Sequence, residues 1–283
     1  MEKKPLFPPI RYFGGKTLIA PFLREYIPAL TDHYQIYVEP FFGTGGLFFN
    51  LLQAPKSAII NDKDDLIYNF WWVFRNHLEA FEKELDLVWC GKAWYDEYSQ
   101  RTDPVGKAIY LYLLNKNNHS GGANTERWDK RFLINPFYKT FDTIKEYLNS
   151  ILYLTIWNDD FRDVLQKIQG SGFSTERENR FYIYEDPPYY TEGHRYRIPF
   201  IEQDHLDLFT LNSNLQTESN KTIFLSYDDC AWVRQHYTTE AGWYLIEIPL
   251  DTIRKGYHEL FISNKPFQKN VQQKFKQKQL MFK

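Results

Sequence analysis

The stretch QIYVEPFFGTGGLFFNLLQ, residues 35–53, determines the predicted fold. It opens with β-forming residues in QIYVEP (35–40), passes through a turn with three glycines at 43–46, and continues into LFFNLLQ (47–53), whose apolar pattern predicts a helix. A strand, a tight turn and a helix in that order form the first half of a parallel βαβ unit. Glycines in such a turn let the main chain approach a ligand closely.

The same alternation continues along the chain. Helical periodicity is present at 16–26, 64–85, 103–116 and 141–151. Strand-like segments follow the glycine turn and return after residue 151: SAIIND (57–62), LYLTIWN (152–158), RFYIYED (180–186), KTIFLSY (221–227) and WYLIEIPL (243–250). Strands that alternate with helices predict an α/β fold with a mostly parallel sheet, in which ligands bind beyond the carboxyl ends of the strands.

One part of the chain departs from this alternation. Residues 75–150 contain no predicted strand, and 117–139 is polar, basic and aromatic with two glycines, which is typical of a loop. We therefore predict a discontinuous larger domain formed by 1–74 and 151–283, interrupted by a smaller helical and loop unit at 75–150.

Composition excludes several classes of protein. No apolar run approaches the roughly 18 residues of a membrane-spanning helix, and the N-terminal segment lacks the apolar region of a secretory signal. Two cysteines and scattered histidines provide neither a disulfide framework nor a four-ligand zinc site, so we expect a cytoplasmic protein without a metal. Net charge is −2, yet basic residues predominate in 116–145 and 254–283. These patches fit contact with a polyanion, although the C-terminal run equally fits a solvated tail.

The glycine turn fits neither of two well-known nucleotide motifs. The G-x-G-x-x-G pattern fails because position 48 is Phe, and a P-loop ending at Lys16 fails because position 10 is Ile. Asp62 follows Gly43 by 19 residues and ends the next predicted strand. An acid at about that spacing holds ribose hydroxyls in nucleoside-binding folds. The pattern therefore favours a nucleoside-type cofactor, the alternative being an ordinary tight turn.

A second stretch, YIYEDPPYYTE (182–192), indicates chemistry at another strand end. Two prolines remove two N–H donors and force Asp186 into an extended conformation, so the segment itself offers only acceptors. Such acceptors suit an amino group, and Tyr189 is placed to stack on a planar ring. Acceptors that hold the exocyclic amine of a purine also stabilise the positive charge that develops as the nitrogen attacks an electrophile. The alternative is a rigid turn with exposed tyrosines.

Together these residues resemble the Dam-like (alpha-group) adenine-N6 DNA methyltransferases. The resemblance covers nearly the whole chain, and it includes the order of the motifs, with the 75–150 insertion between the glycine turn and Asp-Pro-Pro-Tyr. The matching segments are YFGGK (12–16), EPFFGTG (39–45), Asp62, NDDFRDVL (158–165), DPPY (186–189) and GYHELFISN (256–264). It implies a Rossmann-like, seven-stranded, mostly parallel sheet with helices on both faces, and S-adenosyl-L-methionine as the cofactor.

The resemblance also implies a role for individual residues. Domain 1–74 plus 151–283 would bind the cofactor and catalyse methyl transfer, and 75–150 would recognise DNA. The implied cofactor-binding residues are Tyr12, Lys16, Glu39, Pro40, Phe41, Gly43, Gly45, Asp62, Asp160, Phe161 and Asp186. The implied catalytic residues are Asp186, Pro187, Pro188 and Tyr189, of which Tyr189 would stack on a flipped adenine. The candidate DNA contacts are Lys116, Asn118, Arg127, Lys130 and Arg131.

Several alternatives stay open at this point. The recognition loop does not reproduce the pattern of GATC-specific relatives, so the target sequence is undetermined, and its basic residues contact either phosphates or guanine. RNA or a protein glutamine also presents a planar amine, and a catalytically silent DNA-binding relative is a third interpretation. The expected partners are double-stranded DNA and a cognate restriction endonuclease, and the protein is expected to be a monomer or weak dimer.

Overall fold

The computed structural model describes residues 5–11, 14–88, 92–117, 138–169, 178–193, 196–248 and 259–267. The strands in these ranges form a single sheet in the order β3-β2-β1-β4-β5-β7-β6. β1 to β5 pair in parallel, and β7 lies antiparallel between β5 and β6. The bounds are β1 Gln35–Glu39, β2 Ser57–Asn61, β3 Tyr153–Trp157, β4 Arg180–Glu185, β5 Lys221–Asp228, β6 Tyr244–Ile248 and β7 Glu259–Ser263. The predicted Rossmann-like α/β fold is confirmed.

The helices of the described ranges lie between these strands. They are α1 Ala20–Leu23, α2 Asp65–Asn76, α3 Leu78–Leu85, α4 Lys92–Ser99, α5 Pro104–Asn117, α6 Tyr138–Asn149, α7 Phe161–Ile168, α8 Glu202–Leu215 and α9 Ala231–His236. Four of them, α3 to α6, fall in the 75–150 segment between β2 and β3. None of the helices described is both long and apolar enough to cross a membrane.

Three predicted helices differ from the structure. The helix predicted over 16–26 forms only a 3-10 turn at Lys16–Leu18 followed by the four residues of α1. The helix predicted over 64–85 is divided into α2 and α3, because the backbone of His77 leaves the helical region. The helix predicted over 47–53 was wrong, since only a 3-10 turn at Phe48–Asn50 forms. There the side-chain amide of Asn50 donates to the carbonyl of Gly46, an acceptor that a longer helix would have used, and to the carbonyl of the distant Leu6.

Side chains from the sheet pack into two hydrophobic clusters, one on each face. Neighbouring residues of a strand belong to different clusters: Tyr37 to the first and Val38 to the second, as the two-residue period of a strand requires. The first cluster includes Phe81 of α3 and Phe141 of α6, so helices of the 75–150 segment share the core that covers this face. The second cluster contains apolar residues of α7 and α8.

The order in which the chain adds strands to the sheet reverses between β1 and β4. This reversal determines where a ligand can bind. β1 pairs with β2 on one side and with β4 on the other. Chain continuity passes from β1 outward to β3 and then returns to β4, which leaves a crevice beyond the carboxyl ends of β1 and β4. Asn61, at the end of β2, ties the loops at this edge together, because its amide donates to the carbonyls of Pro40 and Asp159.

Candidate active site

A cleft of about 950 Å³, including the open solvent at its mouth, lies at this edge of the sheet. Its walls come from the turn after β1, the loop after β2, the start of α7 and the loop after β4. The structure therefore brings most of the sequence-predicted site together at one place. The predicted residues that line the cleft are Lys16, Glu39, Pro40, Phe41, Gly43, Asp62, Phe161, Asp186 and Pro188.

The glycine turn after β1 is hydrogen-bonded to Asp62, which follows the end of β2. Gly43 and Gly45 have φ angles of +50° and +68°, which side-chain-bearing residues rarely adopt. The Gly43 amide donates to Asp62 Oδ2 at 2.7 Å, and its carbonyl accepts from the Trp71 indole at 2.8 Å. A Cβ on Gly45 would lie 2.6 Å from the rings of Phe42 and Phe49, so Gly45 permits the turn and does not itself line the cleft.

Asp62 links the loop to the cleft. Its Oδ1 accepts from the Asp64 amide at 2.9 Å while Oδ2 accepts from Gly43, so each oxygen already holds a backbone amide. Burial raises the pKa of Asp62 to about 7, although these amides and Arg197 act in the opposite direction. Each carboxylate oxygen has a second lone pair, so a ribose hydroxyl can still donate to a residue that the loop holds rigidly.

Glu39 ends β1 as a buried carboxyl group. Its Oε2 accepts from the Tyr37 hydroxyl at 2.8 Å, and the residue is 2% exposed although it lines the cleft. Burial raises the pKa of Glu39 well above its ordinary range, against the effect of the Tyr37 hydrogen bond. Glu39 therefore offers a hydrogen-bonding group whose charge depends on whether a cation comes close to it.

Asp186 forms an ion pair with a lysine. The Lys16 ammonium lies 2.8 Å from Asp186 Oδ1 and donates to the Gly14 carbonyl at 2.7 Å. The sequence predicted a segment that offers only acceptors, and the structure adds a donor from a distant part of the chain. Burial raises the pKa of Asp186 to about 6, with Lys16 opposing the rise. The carboxyl group is thus ionised at neutral pH and lies against the open space of the cleft.

Two members of the Asp-Pro-Pro-Tyr segment do not line the cleft. Pro187 is buried, and Tyr189 is only 6% exposed, with its ring 6.2 Å from that of Tyr227. The ammonium of Lys16 lies 4.8 Å from the centre of the Tyr189 ring. The stacking role predicted for Tyr189 stays a prediction, because in this conformation its ring belongs to the core.

Asp228, at the end of β5, fixes the segment that follows. Its carboxylate accepts from the Tyr190 amide at 3.0 Å, and from the Thr191 amide and hydroxyl at 3.2 Å and 2.8 Å. The Tyr190 ring stacks on Trp232, with centroids 5.0 Å apart. Three hydrogen bonds to one carboxylate hold the chain immediately after Tyr189, and they give Asp228 a positioning role that the sequence did not indicate.

Aromatic rings form the apolar end of the cleft. The Phe41 ring lies 5.3 Å from that of Phe161, and Phe200 lies 5.8 Å and 5.5 Å from these two rings. Phe200 has no motif of its own, so sequence reasoning missed it. Asp160 does not line the cleft: it caps α7 through the Arg162 amide at 3.0 Å and pairs with Lys63 at 2.7 Å.

The segment 196–200 closes one side of the cleft and was not predicted. Tyr196, Ile198, Pro199 and Phe200 line the cleft. Arg197 pairs with Asp64 and Asp65 at the start of α2, and its Nε lies 2.7 Å from Asp64 Oδ2. Asp64 is also the N-cap of α2, accepting from the Leu66 amide at 2.9 Å. The pairing fastens this segment to the loop after β2, but nothing in the local sequence identifies Arg197 as its anchor.

The remaining predicted residues lie outside the described ranges or at their edge. Tyr12, Asn118, Arg127, Lys130 and Arg131 lie outside the described residues. Lys116 is described: it is in the last turn of α5, half-buried, with its ammonium 5.0 Å from the Tyr112 ring centre. Burial and the nearby Arg11 lower the pKa of Lys116 to about 8. Across the described ranges, no three His, Cys, Asp or Glu side chains cluster as metal ligands would.

Comparison with known proteins identifies the family. The family model of D12 class N6 adenine-specific DNA methyltransferases matches residues 12–248. The type II methyltransferase M1.LlaDCHI of Lactococcus lactis subsp. cremoris is 26% identical over 210 residues, 65% of this chain and 66% of that protein. The type II methyltransferase M.MjaIII of Methanocaldococcus jannaschii is 26% identical over 217 residues, 67% of this chain and 70% of that protein.

Solved structures resemble the chain only distantly. A putative methylase from Haemophilus influenzae is 13% identical, covers 89% of this chain and 96% of its own, and gives a TM-score of 0.36. The assignment therefore depends on the family match, which extends from the first glycine motif through β6. The chain belongs to the D12 class of N6 adenine-specific DNA methyltransferases.

Proposed function

We propose that the cleft transfers a methyl group from S-adenosyl-L-methionine to the N6 amine of an adenine flipped out of duplex DNA. The observation that carries this proposal is the Asp186 carboxyl group, which pairs with the Lys16 ammonium at 2.8 Å and lies on the wall of a cleft with aromatic rings at one end. RNA and protein amides present similar amines, and the family assignment favours DNA over both.

The residues of the cleft fit the cofactor that the family implies. The rings of Phe41, Phe161 and Phe200 provide apolar walls for its adenine, and Asp62 provides acceptors for ribose hydroxyls. Glu39 is a buried carboxyl group that an ammonium can pair with, as the amino-acid end of the cofactor requires. When bound, the cofactor supplies a methyl group already activated on a sulfonium.

Asp186 makes the amine competent to accept that methyl group. An exocyclic amine is a poor nucleophile because its lone pair is delocalised into the purine ring. A carboxylate that accepts an N–H hydrogen bond favours the tetrahedral nitrogen and stabilises the positive charge that develops as the N–C bond forms and the C–S bond breaks. The extra proton on the nitrogen then passes to the Asp186 carboxylate, which is a stronger base than an exposed aspartate.

The prolines and Tyr189 serve the same step. Pro187 and Pro188 have no N–H that could compete for the Asp186 carboxylate, and they keep the turn after β4 rigid. Extrusion of a paired adenine costs a few kcal/mol, and stacking on an aromatic ring returns ~1–3 kcal/mol. We assign this stacking to Tyr189, whose ring must then turn from the core position it has in the structure.

We further propose that residues 75–150 recognise the DNA, with Lys116, Asn118, Arg127, Lys130 and Arg131 as contacts. The sequence supports this, because basic residues predominate in the second half of the insertion. Replacing Arg127 and Lys130 with Ala is expected to weaken DNA binding and to reduce the slope of log affinity against log salt by about 0.9 per lost phosphate contact. Fluorescence anisotropy at four salt concentrations measures the slope. Unchanged binding at all four would remove these residues from the DNA face.

Expression in a host that lacks DNA methylation tests the proposed reaction. Long-read sequencing of the host DNA is expected to show N6-methyladenine at a recurring site with the wild-type chain and none with Asp186→Ala. Purified Asp186→Ala is expected to retain part of its cofactor binding in calorimetry, so that lost activity is not confused with unfolding. Wild-type expression without any modified adenine would overturn the proposal.

A cognate restriction endonuclease is the further partner we propose, because both curated relatives are named type II methyltransferases. DNA methylated by the wild-type chain should then resist an endonuclease encoded nearby, and digestion of DNA from the two expression strains compares them. Equal cleavage of both DNAs would exclude the pairing.

A further inference from the structure

Lys16 lies between two carboxylates, only one of which has a predicted role. Its ammonium is 2.8 Å from Asp186 Oδ1 and 4.0 Å from Glu259 Oε1, and Lys16 is 3% exposed. Glu259 is the first residue of β7 and pairs with Asp228, the last residue of β5. Because β7 runs antiparallel, its first residue lies at the edge of the sheet where the parallel strands end, beside the cleft.

Glu259 has unmet hydrogen-bonding capacity. It is 8% exposed, and its Oε2 has no hydrogen-bond partner in the part of the chain that the structure describes. The Lys16 ammonium, at 4.0 Å from Oε1, is too distant for a direct hydrogen bond. Tyr189 and Tyr184 also face Glu259, and both stay neutral because burial raises their pKa. A buried carboxylate with an unsatisfied oxygen is costly, so a closer approach of the Lys16 ammonium would stabilise Glu259.

We propose that Glu259 is a positioning residue that takes the Lys16 ammonium away from Asp186 when the target amine enters. This inference rests on the proposed function of Asp186. A charge-assisted N–H···O bond has a length of about 2.8 Å, so a displacement of roughly 1 Å transfers Lys16 from one carboxylate to the other. Asp186 Oδ1 is then available to accept from the N6 amine.

The charges of the three groups support this exchange. While Lys16 is bound to Asp186, its positive charge opposes the charge that develops on the attacking nitrogen, and it occupies an acceptor that the amine needs. With Lys16 on Glu259, these two charges largely compensate each other and the Asp186 carboxylate faces the nitrogen alone. Burial lowers the pKa of Lys16, but Asp186 and Glu259 together raise it above its ordinary value, so the ammonium stays charged in either position.

Glu259→Gln tests the proposal, because it removes the charge and keeps the shape. At saturating cofactor, the single-turnover rate of methyl transfer to DNA is expected to fall about tenfold or more, a change of the size of the interaction energies between residues in contact. The cofactor Kd is expected to stay within about threefold of the wild-type value. Glu259→Asp keeps the charge on a shorter side chain and is expected to give an intermediate rate. Thermal unfolding confirms that both variants fold.

The pH profile separates this role from a structural one. Glu259 raises the pKa of Asp186, and Lys16 lowers it. In Glu259→Gln the first effect is lost and Lys16 stays on Asp186, so both changes shift the acid limb of the rate profile to lower pH. A slower rate with an unmoved limb means a structural role and overturns the proposal, as does a wild-type rate.

One measurement is independent of methyl transfer. ¹³C NMR of labelled lysine, with Lys16 assigned from a Lys16→Met spectrum, is expected to show a lower pKa for Lys16 in Glu259→Gln than in the wild-type chain. If the wild-type chain methylates no DNA, the proposed function fails whatever NMR shows. If it is active and Lys16 has the same pKa in both proteins, the inference about Glu259 fails alone.

Discussion

Glu185 and Asp186 are consecutive buried carboxyl groups with opposite environments. Glu185, the last residue of β4, is 0% exposed, and its Oε2 accepts from the Asn212 amide of α8 at 2.6 Å. Asp186 begins the loop, lines the cleft and meets the Lys16 ammonium at 2.8 Å. Burial raises the pKa of Glu185 to about 8 and that of Asp186 to about 6. At neutral pH, the first is mostly protonated and the second mostly ionised.

The difference shows that the face of the strand, rather than the residue type, decides which acid is reactive. Successive residues of β4 point to opposite faces, so Glu185 shares the face of Ile183, which α8 covers. Its neighbour leaves the strand just where the sheet opens into the cleft. A cation near Asp186 opposes the effect of burial, whereas the partner of Glu185 among the described residues is the neutral amide of Asn212. Replacing each acid in turn tests this comparison.

The largest effect is expected for Asp186→Asn. The amide keeps the shape but places an NH₂ group against Lys16 or the target amine, where an acceptor is needed. By analogy with the loss of one transition-state hydrogen bond, the single-turnover rate should fall about 10²- to 10³-fold. Transfer of tritiated methyl groups to DNA at saturating cofactor measures it, with Glu185→Gln as the matched control. Equal losses in the two variants would contradict the contrast between the acids.

Much of the site was predictable because its acids stand at strand ends. Glu39, Asp62 and Asp186 each follow a run of β-forming residues, and parallel strands bring their carboxyl ends to one edge. The strand pattern likewise predicted β1 to β6 to within two residues at each end, since side-chain alternation and β-branched composition act locally.

Other parts could not be predicted, because they depend on contacts between distant segments. Phe200 lines the cleft, and Arg197 anchors the segment beside it, because the loop after β4 folds back onto the first strands. Glu259 reaches the site because β7 is inserted antiparallel between β5 and β6. The approach of Lys16 to Asp186 joins positions 170 residues apart, which no local pattern encodes.

An intermediate effect is expected from Lys16→Met, seen as a shift of pH dependence. Asp186 must be ionised to accept the amine, so the wild-type rate should rise with pH through an apparent pKa of about 6. Lys16 lowers that pKa, so Lys16→Met should move the acid limb to higher pH. Saturating cofactor keeps the protonation of Asp62, with a pKa of about 7, from entering through binding. A limb that stays in place would mean that the charge of Lys16 does not act on Asp186 in the active enzyme.

The smallest effect on activity is expected for Glu185→Gln, together with an effect on stability. The side chain does not line the cleft, so the single-turnover rate should stay close to that of the wild type. The pKa of Glu185 is about 8 in the folded chain against 4.5 ordinarily, so the folded state binds one more proton between these values. The contribution of Glu185 to stability is therefore fully present below pH 4.5 and decreases as pH rises toward 8.

Glutamine resembles the protonated form of glutamate and does not titrate. Glu185→Gln should therefore remove the loss of stability that the wild type shows as pH rises toward 8. The variant should match the wild type in urea unfolding at pH 4 and be more stable at pH 8, by an amount of the order of 1.4 kcal/mol for each unit of pKa shift. The carbonyl oxygen of the glutamine can take the position of Oε2 and accept from the Asn212 amide as before, which leaves the NH₂ group at the position of Oε1. A variant less stable than the wild type at pH 8 would show that the ionised carboxylate is favoured in the core, and that the two neighbouring acids differ less than their environments indicate.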